Sequence, residues 1–527
     1  MRVSRLAAPA LGLCLGLLAL GPGVLRGFLL TYDMLFVPRE PFSAALPGLT
    51  PPRAVPSDLV VAFVSQAVPG DIVQKIVLLA VFVLGCSGVA ALLDREPVVA
   101  RLAGGTFYVW NPYVAERLVL GHWGLLLGYA GLPWVLRAAL KPDMASPRGA
   151  GRLCLALLPA VIGSFAAMAI TALVLVPAVL FSRGVRTVAV ALGALLLGSL
   201  PWLIPSFLHQ VYADPAGVSV FASRADTPFG ALGSLLMLGG AWNSQTVPKA
   251  YGGALSILWL AVVVVALAGL VALTRERRFT GLAVSGVLGL LIACIGVTAA
   301  GRSVLRAGTE FWSGLAVFRD AQQFVAPLAL AEACGFGVAV AWVMNPSPFV
   351  IKKIKQRRTE SADLAGVALG LLALLAPVLF LPGMAWGAAG RLRPAWYPAD
   401  WIAAAQVIDQ NPAQGAVLVL PWETYRTPSW NHGERMLDPW PRLLSRPVLW
   451  NDGTQVGDVR LAPDDPRARA LDGAIRGSGP LTATLRAAGI RFVVDDAEEP
   501  SQRAGPRLPG AKVIIDRPGL IVAQLPD

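Results

Sequence analysis

Long apolar runs recur along the chain from Leu6 to about Trp386, separated by short basic turns, and then cease. The remaining stretch to Asp527 alternates apolar and polar positions as a water-soluble domain does. A helix needs about 20 apolar residues to cross the hydrocarbon core, and the chain offers roughly eleven such runs. The pattern therefore predicts a polytopic α-helical membrane protein over 1–386 and a small C-terminal α/β domain over 387–527.

The runs fix a topology once basic residues are counted. Arg2 and Arg5 precede the first run and are expected in the cytoplasm, with that first helix retained as an uncleaved anchor. The 29-residue run Leu153–Phe181 is the ambiguous one. Read as one tilted helix, it would export Arg275, Arg277 and Arg278, and also Lys352, Lys353, Lys355, Arg357 and Arg358. Read as two short helices broken near Gly163–Ser164, it keeps every one of these clusters inside, and the positive-inside bias selects this reading. Eleven spans then export the loops near 29–73, 208–252 and 299–322 together with the C-terminal domain, and place the protein in the plasma membrane.

Within the tail, Pro398 ahead of Ala399–Ala405 predicts a helix start, and Ala416–Leu420, halted by Pro421, predicts a strand. Pro447–Trp450 predicts another strand. Leu481–Ala488 predicts a helix closed by Gly489, followed by the strand Ile490–Val494. Val513–Ile515 and Leu520–Gln524 flank a turn at Asp516–Gly519 and predict a hairpin. The tail has no phosphate loop, nucleophile elbow or paired-cysteine motif, so by itself it reads as a binding or lid domain.

Composition agrees with the membrane reading: 55% hydrophobic and 14% charged residues, with mean hydropathy +0.62. The formal charge of +12 lies mainly in short loops, where topology explains it, so a nucleic-acid partner is not indicated. Cys14, Cys86, Cys154, Cys294 and Cys334 all lie in apolar segments, which suggests neither a disulfide framework nor a zinc site.

Three expected external clusters carry chemistry: Leu30–Pro38 with Asp33, Trp110–Trp123, and Val317–Phe324. Each residue has a plain structural reading. Asp33 can cap a loop, Trp110, Tyr113 and Trp123 can form an interfacial belt, and Glu116 with Arg117, or Arg319 with Asp320, can be structural ion pairs. His122 can be a satisfied interfacial histidine. Taken together they support a sharper reading, because charges at a membrane boundary are costly unless paired or hydrated. Moving a sugar from a lipid phosphate needs a carboxylate to accept the acceptor's proton and cations to meet the departing phosphate. Asp33 fits the first role. Arg117, His122 and Arg319 fit the second, Trp110, Tyr113 and Trp123 offer stacking faces, and Glu116 and Asp320 support them.

With these segments in view, and with Leu418–Glu423 in the tail, the chain resembles bacterial membrane glycosyltransferases of the GT-C type, particularly an actinobacterial group. The resemblance implies a GT-C-like fold, a polyprenyl-phosphate sugar as donor and an inverting transfer. It also implies a base in the first exported loop, which falls on Asp33 with Asp58 in reserve. This chain lacks the acidic doublet or Asp-x-Asp that some such enzymes carry there. No metal motif is evident, and the cofactor, including any divalent cation, is left unassigned. The expected function is sugar transfer to a cell-envelope glycan at the outer face. The alternatives are a transporter or flippase of a lipid-linked precursor, flagged by Glu332 within a span, and a non-catalytic assembly scaffold.

Overall fold

The computed structural model describes residues 2–45, 55–181, 184–208, 212–344, 360–499, 501 and 503–527. The basic cluster Lys352, Lys353, Lys355, Arg357 and Arg358 lies outside the described residues.

The chain is a helical multi-span membrane protein with a C-terminal mixed-sheet region. Apart from Glu332, helix Ala326–Met344 is apolar on all sides, and Ala326–Ala341 are buried on every face, as expected of a helix at the centre of a bundle. Helix Leu255–Leu273 packs most closely on it. A Cβ on Gly269 would stand 2.0 Å from the Gly335 carbonyl oxygen, so only glycine permits this approach of the two backbones. At the periphery, helix Val185–Leu208 turns Leu192, Leu196, Leu197, Ile204 and Phe207 outward, a surface that hydrocarbon can cover and water cannot.

Six helices among the described residues are long and apolar enough to cross a bilayer, and a pair bent by 63° at Leu381 makes a seventh if counted as one span. The sequence pattern predicted about eleven. The difference arises where expected spans form shorter rods: Val98–Val109 stops before Asn111, whose side chain caps the next helix, Pro112–Val119, by accepting from the Val114 amide. Likewise Pro147–Ile162 and Ser164–Leu180 part at Gly163–Ser164, the predicted break, where Ser164 adopts φ +70°.

Strand β1 (Phe28–Leu29) in the first long loop pairs with β2 (Pro394–Ala395). Beyond β2 come helix Ala399–Gln410, β3 (Ala416–Leu420), β4 (Tyr425–Arg426), β5 (Met436–Leu437), β6 (Val448–Leu449), β7 (Gln455–Val456) and β8 (Val459–Arg460). Helix Thr482–Ala487, β9 (Ile490–Asp495), β10 (Lys512–Arg517) and β11 (Leu520–Gln524) complete the region. The main sheet has order β10-β11-β9-β3-β6, with β3 parallel to β6 and β9.

Side-chain alternation divides the sheet between two cores. Val417, Val419, Phe492 and Val494 join the core shared with the helical part, whereas Leu418, Leu420, Ile490 and Val493 pack under helices Pro466–Arg476 and Thr482–Ala487. The sheet region is thus moored to the first long loop. The Tyr32 amide donates to the Arg435 carbonyl at 2.7 Å, the Leu437 amide donates to the Tyr32 carbonyl at 2.8 Å, and Asn431 Nδ2 donates to the Leu30 carbonyl at 3.0 Å.

A buried triad lies just behind this mooring. Arg426 donates to Asp438 at 2.7 Å and also to Asp496. Burial pushes the Asp496 carboxyl from 3.8 up to about 6 despite the pull of Arg426, with the neighbouring Asp438 adding to the rise. The folded state therefore holds this proton longer than the unfolded chain, and the stability it confers below the lower value is lost as pH rises through the window. Asp496→Asn is expected to gain thermal stability relative to the wild type as pH climbs from 3.8 to about 6. Parallel melting curves across that range would show that Asp496 does not titrate there.

Candidate functional site

Asn111 and Pro112 open the short helix that presents Glu116 and Arg117, and Gly121 closes the turn after it with φ +81°. A Cβ at Gly121 would lie 2.0 Å from the Met34 amide nitrogen, so the bend and the first loop can approach this closely only with glycine here. The Asp33 amide donates to the Leu120 carbonyl at 3.0 Å, and Thr31 Oγ1 donates to the Val119 carbonyl at 2.9 Å. Gly121→Ala is expected to destabilise the fold by more than about 2 kcal/mol, because the left-handed penalty alone reaches 1–2 kcal/mol before any clash. The check is monodispersity and thermal unfolding in detergent, and a wild-type profile would refute it.

Tyr32 is held at φ +42° immediately before Asp33, a conformation uncommon for a non-glycine residue. Its amide and carbonyl are both bonded to the sheet region, and its hydroxyl donates to Gln245 Oε1 at 2.5 Å. Such a conformation persists only where the surroundings over-determine it, and here it precedes Asp33, whose carboxylate lies between His122 and Tyr425.

From Asp33 a continuous line of polar contacts runs inward. Tyr425 Oη donates to Asp33 Oδ1 at 2.6 Å, and His122 Nε2 stands 3.1 Å from Asp33 Oδ2. His122 Nδ1 lies 3.0 Å from Arg117 Nη1. A guanidinium only donates, so Nδ1 must be the accepting nitrogen, and Nε2 then carries the proton given to Asp33. Arg117 forks onto Asp320, with Nη2 to Oδ1 at 2.9 Å, and its Nε donates to Gln322 Oε1 at 2.9 Å. Side-chain exposure falls along this line from 41% at Asp33 to 21% at His122 and 0% at Arg117. Asp33 is the most exposed member of a braced network in which Arg117 and Gln322 are fully buried.

The structure thus brings Asp33, Arg117, His122 and Asp320 together from three separate segments. Arg319 lies beside them with its guanidinium 5.0 Å above the Phe221 ring. Burial pushes the Glu116 carboxyl well above the usual range, with Asp226 adding to the rise, while the Ala241 amide donates to Glu116 Oε2 at 3.2 Å. The expected stacking residues are buried, and Tyr113 lies with its ring 5.9 Å from the Arg117 guanidinium. Trp110 and Tyr113 are wholly buried, donating to the Leu381 carbonyl at 3.1 Å and the Gln323 carbonyl at 3.0 Å, and Trp123 packs on Phe36. Asp58 is apart from this network, held by Arg442 at 3.0 Å in the mooring of the sheet region. Burial raises both Asp58 and Glu40 there, and Arg442 draws them back.

Tyr425 and Gln322 were not singled out from the sequence. Tyr425 reaches Asp33 across 392 positions, so no local pattern advertises it. Gln322 lies in a flagged segment, yet its part emerges only when its carbonyl is seen against Arg117. Among the described residues no group of three or more His, Cys, Asp or Glu is arranged to hold a metal ion.

A family profile described as "Alpha-(1->3)-arabinofuranosyltransferase, N-terminal GT-C domain" matches residues 56–521. No curated protein matches the chain. Among solved structures, the arabinofuranosyltransferase AftD from Mycobacteria aligns with 100% of this chain at 18% identity and TM-score 0.60. A mutant form of AftD aligns with 99% of it, also at 18% identity, with TM-score 0.61. The chain spans 40% and 41% of the length of those two, about two fifths. A weaker likeness, TM-score 0.47 at 14% identity over 99% of this chain and 97% of the other, is to ArnT from Cupriavidus metallidurans bound to undecaprenyl phosphate.

Proposed function

The chain belongs to the alpha-(1->3)-arabinofuranosyltransferase N-terminal GT-C domain family, and from this we propose that it transfers a sugar from a polyprenyl-phosphate donor to a cell-envelope glycan. In this reading the eleven-span topology puts the N-terminus in the cytoplasm and the Asp33 network and the sheet region outside, with the reaction at the outer leaflet of the plasma membrane. Residues 1–386 form the membrane domain and 387–527 the extracytoplasmic one. The observation that carries the proposal is Asp33 itself: a partly exposed carboxylate, oriented by His122 and Tyr425, where the first loop, the Asn111–His122 bend and the tail converge.

The step is a single displacement. The acceptor hydroxyl oxygen bonds to the anomeric carbon as its proton passes to Asp33, and the bond from that carbon to the phosphate oxygen breaks, its electrons staying on the polyprenyl phosphate. Inversion at the anomeric carbon follows from attack opposite the leaving group. Arg319 is the cation we assign to the departing phosphate. Arg117, with its nitrogens committed to His122, Asp320 and Gln322, is assigned to positioning the base. Asp58 remains the reserve base, and Trp123, packed on Phe36, the aromatic we retain for stacking.

The test is transfer of radiolabelled arabinofuranose from its polyprenyl-phosphate ester to an arabinofuranose oligosaccharide, with the full chain in lipid nanodiscs. The expected result is a new glycosidic bond of anomeric configuration opposite to the donor's. A product with retained configuration would refute the single displacement. Label crossing a sealed vesicle without bond formation would favour the transporter reading, for which Glu332 speaks: it is fully buried within a span, with neither oxygen hydrogen-bonded among the described residues. Neither event with any lipid-linked pentose would leave the scaffold reading.

A further inference from the structure

The sheet region contains a cavity of about 480 Å³ that the Asp33 network does not use. That volume is in the ~300–1,000 Å³ range of small-ligand sites. Trp401 and Trp430 line it, Arg426 and Asp496 contribute to its lining, and Glu423 and Glu498 stand at exposed positions around it. Arg426 is only 8% exposed, and its Nη atoms are given to Asp438 and Asp496. Its Nε, like Trp430 Nε1, is a buried donor with no hydrogen-bond partner among the described residues. Buried donors left unmatched are uncommon in native proteins, and both belong to residues that line this cavity.

We propose that this cavity is a subsite for a neutral, hydroxyl-rich residue of a glycan acceptor. Each hydroxyl can donate, so a sugar can donate to the exposed carboxylates of Glu423 and Glu499, while Glu498 is engaged by Ser429. Indole faces suit the apolar C–H face of a sugar ring. Charge selects against an anionic ligand: Asp400, Glu423, Asp496, Glu498 and Glu499 line the cavity against the single cation Arg426. Position links the cavity to the chemistry. Tyr425 and Arg426 are successive residues of β4, and side chains of successive strand residues leave on opposite faces. Tyr425 reaches Asp33 and Arg426 lines the cavity. A glycan held here lies one strand away from the candidate base.

This inference rests on the glycosyl-transfer reading for the identity of its ligand, and its test is independent of turnover. Binding of a synthetic linear arabinofuranose hexasaccharide is measured by calorimetry on the full chain carrying Asp33→Asn in nanodiscs without donor. The expected result is saturable binding, weakened at least tenfold both by the exposed pair Glu423→Gln/Glu499→Gln and by Trp430→Phe. An oligogalacturonate of equal length is expected not to bind. Undiminished hexasaccharide binding in both variants, no hexasaccharide binding at all, or equal binding of the anionic oligomer would overturn the assignment. Melting curves for each variant separate lost binding from lost fold, and the exposed pair leaves the buried packing untouched. If Asp33→Asn retained transfer while the cavity variants lost binding, the catalytic reading would fall and the subsite would stand. The reverse pattern would remove the subsite alone.

Discussion

Replacing Asp33 by Asn is expected to lower sugar transfer by about 10³-fold, within the 10²–10⁴ that a positioned proton acceptor supplies, with little change in thermal stability. The amide keeps the volume and can still meet Tyr425 and His122, whose contacts at 2.6 and 3.1 Å hold the side chain. It cannot take a proton from the acceptor hydroxyl. The loss should fall on kcat and leave binding of the lipid-linked donor intact, because Asp33 is not assigned to the phosphate. His122→Ala should act in the same direction but more weakly, since Tyr425 still orients one oxygen. Wild-type turnover in Asp33→Asn protein would remove the catalytic assignment, and the same measurement on Asp58→Asn would decide whether the reserve carboxylate takes the role.

Arg117→Met is expected to destabilise the folded protein by about 3–5 kcal/mol, the cost of leaving one member of a buried ion pair uncompensated. Arg117 is fully buried and holds three partners from two segments: Asp320, Gln322 and His122. Lysine should rescue poorly, because one ammonium cannot reproduce a fork that reaches all three at once. The double substitution Arg117→Met/Asp320→Asn should recover a large part of the loss, since the stranded charge goes with the cation. Yield of monodisperse protein and melting temperature in detergent give the readout. A single variant as stable as the wild type would mean that Arg117 is hydrated instead of sealed.

What the sequence disclosed followed from local rules. The break at Gly163–Ser164 was legible because two half-length apolar runs and the basic turns permitted one consistent topology, and Ser164 does take the left-handed conformation that parts the two helices. The strand Ala416–Leu420 and the hairpin near the C-terminus were legible from apolar runs closed by proline and glycine, and both form. The polar residues gathered at the bend were visible as candidates because charge beside a membrane needs a reason.

Other features depended on burial, which hydropathy alone does not rank. Trp110 and Tyr113 have the composition of an interfacial belt, yet both lie inside the fold, each with its polar atom bonded to a backbone carbonyl. An aromatic side chain with one polar tip suits either place. Tyr425 and Arg442 were illegible for a different reason. Their partners lie in the first loop, 392 and 384 positions away, and only the completed fold pairs them.

That last pairing has a bearing on biosynthesis. Strand β1 waits for β2, Tyr32 for Arg435 and Leu437, and Asp33 for Tyr425. Until residue 425 has been made, Asp33 has His122 but lacks Tyr425, the second side chain that orients it. Translation order thus leaves this mooring of residues 28–33 to be completed only after residues 394–437 have emerged.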